Sequence, residues 1–262
     1  MTPRTEESPE RELWPRLRGY GDLLRDRATG AAEEMESAKA LCRLLGERYR
    51  PGARLLDVGC GSAHYLRSLR RRLDPEIDYT GLDLTLPFLA RGRAVFPVVP
   101  LAAGDAFALP FRDRAFDLVL CNNLLLHLPP PPERALAELA RVAAERVLVR
   151  TPVGRRNYVI REVREPEDLD EGDRDPGDDD LFAPDGAPRR FNYFNLYTEV
   201  YLTRAARRAA PGAHVRLEPD TSFGSFDNRA ATTATGTHVI DRRQVAGNLL
   251  LDWCWLEVAW TS

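Results

Sequence analysis

Apolar positions return along this chain in two rhythms. From Ala31 to Tyr49, the residues Met35, Ala38, Leu41, Leu45 and Tyr49 recur every three or four positions, which predicts an amphipathic helix closed by Pro51-Gly52. Short apolar runs then follow at 54–58, 78–84, 96–101, 116–121 and 146–151, each compact enough to be a buried strand. Helical stretches separate most of them, over Ser62–Leu73, Leu86–Ala94 and Glu133–Glu145. Strands alternating with helices predict an α/β chain, a Rossmann-like, mostly parallel sheet with helices on both faces. Right-handed crossovers place its functional loops at the carboxyl ends of the strands.

The rhythm breaks after Thr151. Residues 162–180 carry eleven acids against two arginines, with two prolines and two glycines. Such a stretch has too little apolar surface to bury, so 155–192 is expected to be an acidic, flexible insertion after the fifth strand. Beyond it, 191–210 reads as an aromatic-rich helix, 213–219 as a strand, 220–248 as a long loop on the active-site side, and 249–260 as a last strand. Residues 1–30 are charged and broken by Pro and Gly, and are expected to form an N-terminal arm or loose cap on a domain spanning 31–262.

Composition narrows the function. The chain has 262 residues, 44% hydrophobic, enough for a sizeable core, and its net charge of −3 provides no basic field to draw nucleic acid. Lys39 is its only lysine. Cys42, Cys60, Cys121 and Cys254 are scattered without a C-x-x-C pair, as expected for free thiols in the reducing cytoplasm. The four histidines form no metal-ligand spacing, so no metal is expected. The first residues lack a signal-peptide core, and no 18-residue apolar run suggests a membrane span.

The chemistry concentrates in 54–69, RLLDVGCGSAHYLRSL, a strand, a glycine turn and the start of a helix. A dinucleotide fingerprint needs a third glycine after Gly59 and Gly61, and His64 stands in its place. Asp57 also puts an acid where a pyrophosphate would come. Downstream, Asp83 ends the second strand 22 residues after Gly61, where a carboxylate accepts bonds from both ribose hydroxyls. Asp105, in Gly104-Asp105-Ala106, follows the third strand, suited to an adenine amino group, and Asn122-Asn123 follows the fourth. An adenosine with a cationic ammonium suits this set, and a pyrophosphate does not. Each residue also has a plainer reading: Asp57 as an acid at a helix N-terminus, worth ~0.3–1 kcal/mol, Asp105 as a turn residue, Asn122 as a local loop cap.

LLDVGCGSAHYLRSL, GLDL, GDAFALPF, FDLVLCNNLLLHLPPPPERALAELARV and RVLVRTP, in that order, resemble the successive motifs of class I S-adenosylmethionine (SAM)-dependent methyltransferases, above all the quinone-biosynthesis C-methyltransferases and their small-molecule relatives. The likeness runs from Ala31 to Pro152. It implies a seven-stranded sheet with a reversed last strand, SAM as cofactor and S-adenosylhomocysteine as product. It implies that Asp57 with the Gly59, Cys60 and Gly61 backbone holds the methionine end, Asp83 beside Leu84 the ribose, and Asp105 and Ala106 the adenine. Asn122 would lie beside the ammonium and sulfonium. His127 has the ordinary pKa near 6.5 of a general base, with a packing role as the alternative. Tyr193, Tyr197, Asp220 and Phe226 are substrate-side candidates. The expected partner is a small-molecule methyl acceptor, for a monomer or homodimer that binds neither nucleic acid nor membrane. A non-catalytic subunit of the same fold, stabilising a partner protein, is the alternative. It would show a degenerate glycine turn or lack the ribose acid, and this chain shows neither defect.

Overall fold

The computed structural model describes residues 13–46, 48–174, 180–221, 237–240, 243–246 and 249–260. In chain order its elements are α1 (Tyr20–Thr29), α2 (Glu36–Gly46), β1 (Arg54–Val58), α3 (Leu66–Arg72), β2 (Asp78–Asp83), α4 (Leu86–Val95), β3 (Leu101–Ala103) and β4 (Phe116–Asn122). There follow α5 (Glu133–Val142), β5 (Ala143–Val153), β6 (Arg161–Val163), β7 (Phe191–Tyr193), α6 (Glu199–Ala209), β8 (His214–Pro219), β9 (Thr237–Ile240), β10 (Arg243–Ala246) and β11 (Leu249–Ala259).

The main sheet runs β3-β2-β1-β4-β5-β11, with β8 also paired to β11. The first five strands are parallel, and β11 runs antiparallel between β5 and β8. This is the expected seven-stranded, Rossmann-like sheet with its last strand reversed. The antiparallel pair β9–β10 extends it from the start of β11.

Two apolar layers cover the sheet, as its sequence pattern requires. Alternating Cβ directions send Leu55 to one face and Leu56 to the other. On the first face Leu55, Leu118 and Leu120 pack with Leu41 and Leu45 of α2, Leu66 and Leu69 of α3 and Leu89 of α4. On the second, Leu56, Val119 and Val149 meet Leu136 and Leu139 of α5 and Leu202 of α6. Each such buried leucine contributes about 1.5–3 kcal/mol. Every residue of β4 is buried, so the centre of the sheet is held from both sides.

Several expected boundaries move, each for a local reason. The strand expected at 96–101 begins at Leu101, because Pro97 and Pro100 have no N–H to give a ladder, and the Pro100 carbonyl instead accepts the Gly81 amide at 2.9 Å. The helix expected from Ser62 starts at Leu66, since the glycine turn continues through Ala63, at φ 56°. The aromatic helix expected over 191–210 divides into β7 and α6, where the Thr198 hydroxyl caps α6 by accepting the Tyr201 amide. Within the expected loop 220–248 lie β9 and β10, while 222–236 are outside the described residues.

The two ends expected to be loose hold each other. Leu13, Leu17, Leu24 and Ala28 of the N-terminal segment are buried, and Trp14–Arg16 forms a 3-10 turn ahead of α1. Their spacings of four and seven were the overlooked signal of a helical face. The acidic segment contributes β6, paired antiparallel with β7, and 3-10 turns at Pro166–Asp168 and Glu171–Asp173. Leu169 joins Leu13 and Leu17 in a small apolar cluster. The Arg18 amide donates to the Asp168 carbonyl at 2.8 Å and the Asp170 amide to the Arg16 carbonyl at 2.9 Å. One leucine thus anchors a stretch whose composition alone argues for solvation. Among the described residues no helix is long and apolar enough to cross a membrane.

Candidate active site

The glycine turn after β1 is tied to the end of β2. The Gly59 and Cys60 amides donate to the Leu82 carbonyl at 2.7 and 3.1 Å. Gly59 and Gly61 sit at φ 78° and 56°, where side chains are strained. A Cβ on Gly59 would also lie 2.9 Å from the Leu124 side chain. Gly61 donates its amide to Asp83 Oδ2 at 2.8 Å, and Thr85 donates its amide to Asp83 Oδ1 at 2.8 Å. The acid that ends β2 therefore shapes the turn and still has a lone pair on each oxygen for a ligand.

A cavity opens at the carboxyl ends of β1, β2, β3 and β4. Gly59, Gly61, Asp83, Leu84, Asp105, Ala106, Asn122 and His127 line it, so most of the proposed cofactor set converges on one space. Leu84 is 43% exposed there, an apolar surface available for a flat ring. Asp105 Oδ1 accepts the Phe107 amide at 2.9 Å. Asn122 is buried, and neither polar atom of its amide has a hydrogen-bond partner. An unpaired buried amide on a cavity wall costs about 1–3 kcal/mol unless a ligand or water satisfies it.

Asp57 and Cys60 stand behind the turn and do not line the cavity. Asp57 is 1% exposed and accepts the Tyr79 hydroxyl at 2.8 Å. Burial pushes its pKa from 3.8 to about 7, against the pull of that hydrogen bond. The Cys60 thiol packs toward Gly81, so only its backbone belongs to the turn. Burial likewise raises Asp83, while the Thr85 and Gly61 amides draw it back.

His127 lines the cavity on a 3-10 turn after β4, its ring 4.5 Å from that of Trp14. Its Nδ1 lies 2.8 Å from the Tyr193 carbonyl. A carbonyl only accepts, so Nδ1 carries the proton and the Nε2 lone pair stays open. Burial depresses the imidazole to about 4, with the Tyr193 carbonyl opposing. Tyr193 thus acts through its backbone, while its ring packs edge-on against Phe191. Tyr197 stacks on Tyr201, and Asp220 pairs with Arg150 at 2.6 Å. None of the three side chains lines the cavity, because each is engaged in the packing beside β5, β7 and α6. Phe226 lies outside the described residues.

Sequence reasoning missed the N-terminal wall of the cavity, where Trp14, Tyr20, Leu24 and Arg27 face Phe88 and Leu128. Tyr20 meets Trp14 and Phe88 at ring distances of 5.4 and 5.7 Å. It missed Arg150 as well, a 2% exposed guanidinium in β5 that also donates to Asn123 Oδ1 at 2.6 Å. An arginine inside the apolar run RVLVRT was the available signal.

Residues 56–148 match the family model described as a methyltransferase domain. The demethylmenaquinone methyltransferase of Renibacterium salmoninarum is 39% identical over 92 residues, which cover 35% of this chain and 37% of that protein. The phthiotriol/phenolphthiotriol dimycocerosates methyltransferase of Mycobacterium tuberculosis is 41% identical over 93 residues, covering 35% and 34%. The chain thus spans little more than a third of the curated relatives it matches. Among solved structures, the magnesium protoporphyrin IX methyltransferase of Synechocystis with bound SAM aligns with a TM-score of 0.56 at 11% identity, over 98% of this chain and 99% of the other. A SAM-dependent methyltransferase of Methanosarcina mazei aligns with a TM-score of 0.55 at 13% identity, over 84% and 98%. At such identities these two likenesses establish the fold.

Proposed function

We propose that this chain, which carries a class I SAM-dependent methyltransferase domain, transfers a methyl group from SAM to an oxygen, nitrogen or carbon atom of a small molecule. The observation that carries the reading is Asp83, an acid bonded to the glycine turn and facing the same cavity as the unpaired Asn122 amide. The donor set fits an adenosine bearing a cationic amino-acid tail. Asp83 takes the ribose hydroxyls, Leu84 and Ala106 flank the adenine, and Asp105 accepts from its amino group. Asn122 offers an oxygen to the ammonium. Asp57, bonded to the Tyr79 hydroxyl behind the turn, does not touch the ligand.

SAM supplies an electrophilic methyl on a sulfonium whose charge vanishes on transfer, so no strong oxyanion stabiliser is needed. The protein's contribution is to hold the acceptor ~3–3.5 Å from that methyl, in line, and to exclude water. Trp14, Leu24, Phe88 and Leu128 form an apolar wall suited to a largely apolar acceptor. His127, neutral at pH 7 with Nε2 open, accepts the proton when the attacking atom carries one. A cytoplasmic address belongs to the same reading, supported by four free, buried cysteines.

Titration calorimetry tests it. S-adenosylhomocysteine should bind with a micromolar dissociation constant and NAD should not bind. No heat with S-adenosylhomocysteine, together with no methyl transfer from isotopically labelled SAM across an acceptor library, would refute the assignment.

A further inference from the structure

The turn that carries His127 is held from outside, by a stretch of chain 66 to 70 residues further on. Residues 193–196 run on from the end of β7 in an extended stretch whose two edges bind different partners, as the alternating backbone groups of a strand allow. On one edge the Phe194 amide donates to the Ile160 carbonyl at 2.9 Å and the Leu196 amide to the Tyr158 carbonyl at 3.0 Å. On the other, the Tyr193 carbonyl accepts from His127 Nδ1 at 2.8 Å and the Asn195 amide donates to the Leu126 carbonyl at 2.8 Å. The Asn195 side chain adds a bond from Nδ2 to the Leu128 carbonyl, also at 2.8 Å. Asn195 therefore grips the residue before His127 and the residue after it.

The turn is weakly closed by its own bonds. Its last one, from the Leu128 amide to the Leu125 carbonyl, is long at 3.4 Å, and Pro129 has no N–H to continue a ladder. The stretch that grips it is itself anchored. Asn192, 1% exposed, accepts from Arg164 Nε at 2.7 Å and donates to Glu162 at 3.0 Å, while β6 pairs with β7. Among the described residues, Arg164 is also the charged group that bears on the His127 ring. Asn195 is fully buried, yet its Oδ1 has no hydrogen-bond partner. A buried oxygen left unsatisfied costs stability, and a leucine of similar size would avoid that cost. What the asparagine offers in return is its Nδ2 bond to the Leu128 carbonyl.

Resting on the reading of His127 as a proton acceptor, we infer that Asn195 is a positioning residue for that imidazole. By gripping the carbonyls on both sides of His127, it keeps the ring against the Tyr193 carbonyl, with Nδ1 protonated and the Nε2 lone pair available. Three bonds at neighbouring points leave the ring little room to swing. Without the Nδ2 bond the exit of the turn is free to move, the Nδ1 contact lengthens, and the opposite tautomer becomes populated. The excursion between β5 and α6 is thereby part of the framework of the site.

Nitrogen NMR of the full chain labelled with 15N-histidine tests this, the His127 signal being identified by its loss in His127→Gln. Wild-type His127 should show the Nδ1–H tautomer alone and titrate at about pH 4. Asn195→Leu should populate both tautomers and raise the titration midpoint by about one pH unit or more, toward the ordinary histidine value. Its affinity for S-adenosylhomocysteine, read by titration calorimetry, should stay at the wild-type level and so report an intact fold. Asn195→Ala should shift the tautomer and midpoint in the same direction, independently of how leucine packs. A role confined to packing would lower the melting temperature and leave the tautomer and midpoint unmoved. That result would overturn the inference, as would an Nε2–H tautomer in the wild type or loss of fold in both variants. Should the wild type bind no S-adenosylhomocysteine, the cofactor reading would fall; circular dichroism would then report the fold, and the histidine spectra would still decide the role of Asn195.

Discussion

Asp83 accepts the Gly61 amide at 2.8 Å, so the last residue of β2 sets the conformation of the turn that follows β1. The two positions are 22 residues apart in the chain, one at the end of β2 and the other in the turn after its parallel neighbour β1. A single carboxylate therefore has a structural bond to the turn and an open face to the cavity, and its removal should be felt twice.

Asp83→Ala is expected to weaken S-adenosylhomocysteine binding by about a hundredfold or more, because two hydrogen bonds to a charged acceptor are lost. Asp83→Asn keeps one acceptor oxygen and should lose less. Thermal melts should show a drop in stability on the order of 1–2 kcal/mol for the alanine variant, from the orphaned Gly61 amide. An unchanged dissociation constant in Asp83→Ala removes the ribose assignment.

The buried titratable groups predict a pH dependence with opposing parts. Asp57, raised from 3.8 to about 7, binds its proton more tightly when folded; its stabilisation is complete below pH 3.8 and is lost as pH rises through 7. His64 and His127, lowered from 6.5 to about 3 and about 4, act the other way: their contribution is complete above 6.5 and is lost as pH falls. Each group adds a slope of up to ~1.4 kcal/mol per pH unit between 4 and 6.5. Asp57→Asn should therefore make the urea midpoint rise more steeply with pH over that window. His64→Gln should flatten or invert the rise. Parallel profiles for wild type and both variants would contradict the burial of these groups.

Leu169→Ala should release the acidic segment and the N-terminal segment together, since Leu13, Leu17 and Leu169 share one small cluster. A leucine-to-alanine change in a core costs about 2–5 kcal/mol. Here the loss should appear as local opening, read by hydrogen exchange as faster exchange over 13–30 and 161–173 with the sheet unchanged. Exchange accelerated in only one of the two segments would show that they are not coupled.

Arg150 and Asp220 form a buried ion pair at 2.6 Å between β5 and the end of β8. Arg150→Met alone takes the guanidinium away from a buried carboxylate and should cost about 3–5 kcal/mol in chemical denaturation. Adding Asp220→Leu should recover most of that loss. The single variant should also weaken cofactor binding, because Arg150 holds Asn123 at φ 57° beside Asn122. A double variant no more stable than the single would show that Arg150 matters through other contacts.

Local order in the chain was enough to anticipate the parallel part of the sheet. β1, β2 and β4 lie within a residue of their expected places, because their apolar runs can be buried only in a covered sheet. The site acids on those strands were legible for the same reason. Where a glycine turn and strand ends are placed by one topology, Asp83, Asp105 and Asn122 must converge. The limits were just as physical. Composition judged 162–180 by its average, yet one buried leucine and two backbone hydrogen bonds to the N-terminal segment order part of it. Asp57 reads as a ligand from its spacing, but strand alternation turns its side chain toward Tyr79.

The sequence by itself determined the alternation of strands and helices, the glycine turn and the carboxylates at the strand ends. Those features rest on periodicity and on residues one or two turns apart, so each is specified locally. Only the tertiary structure decided that Trp14, Tyr20 and Arg27 wall the cavity, that the Tyr193 carbonyl fixes the proton on His127, and that Arg150 meets Asp220. Those pairings join segments 66 to about 113 residues apart, and burial of apolar surface across such distances leaves no mark in any short window of the chain.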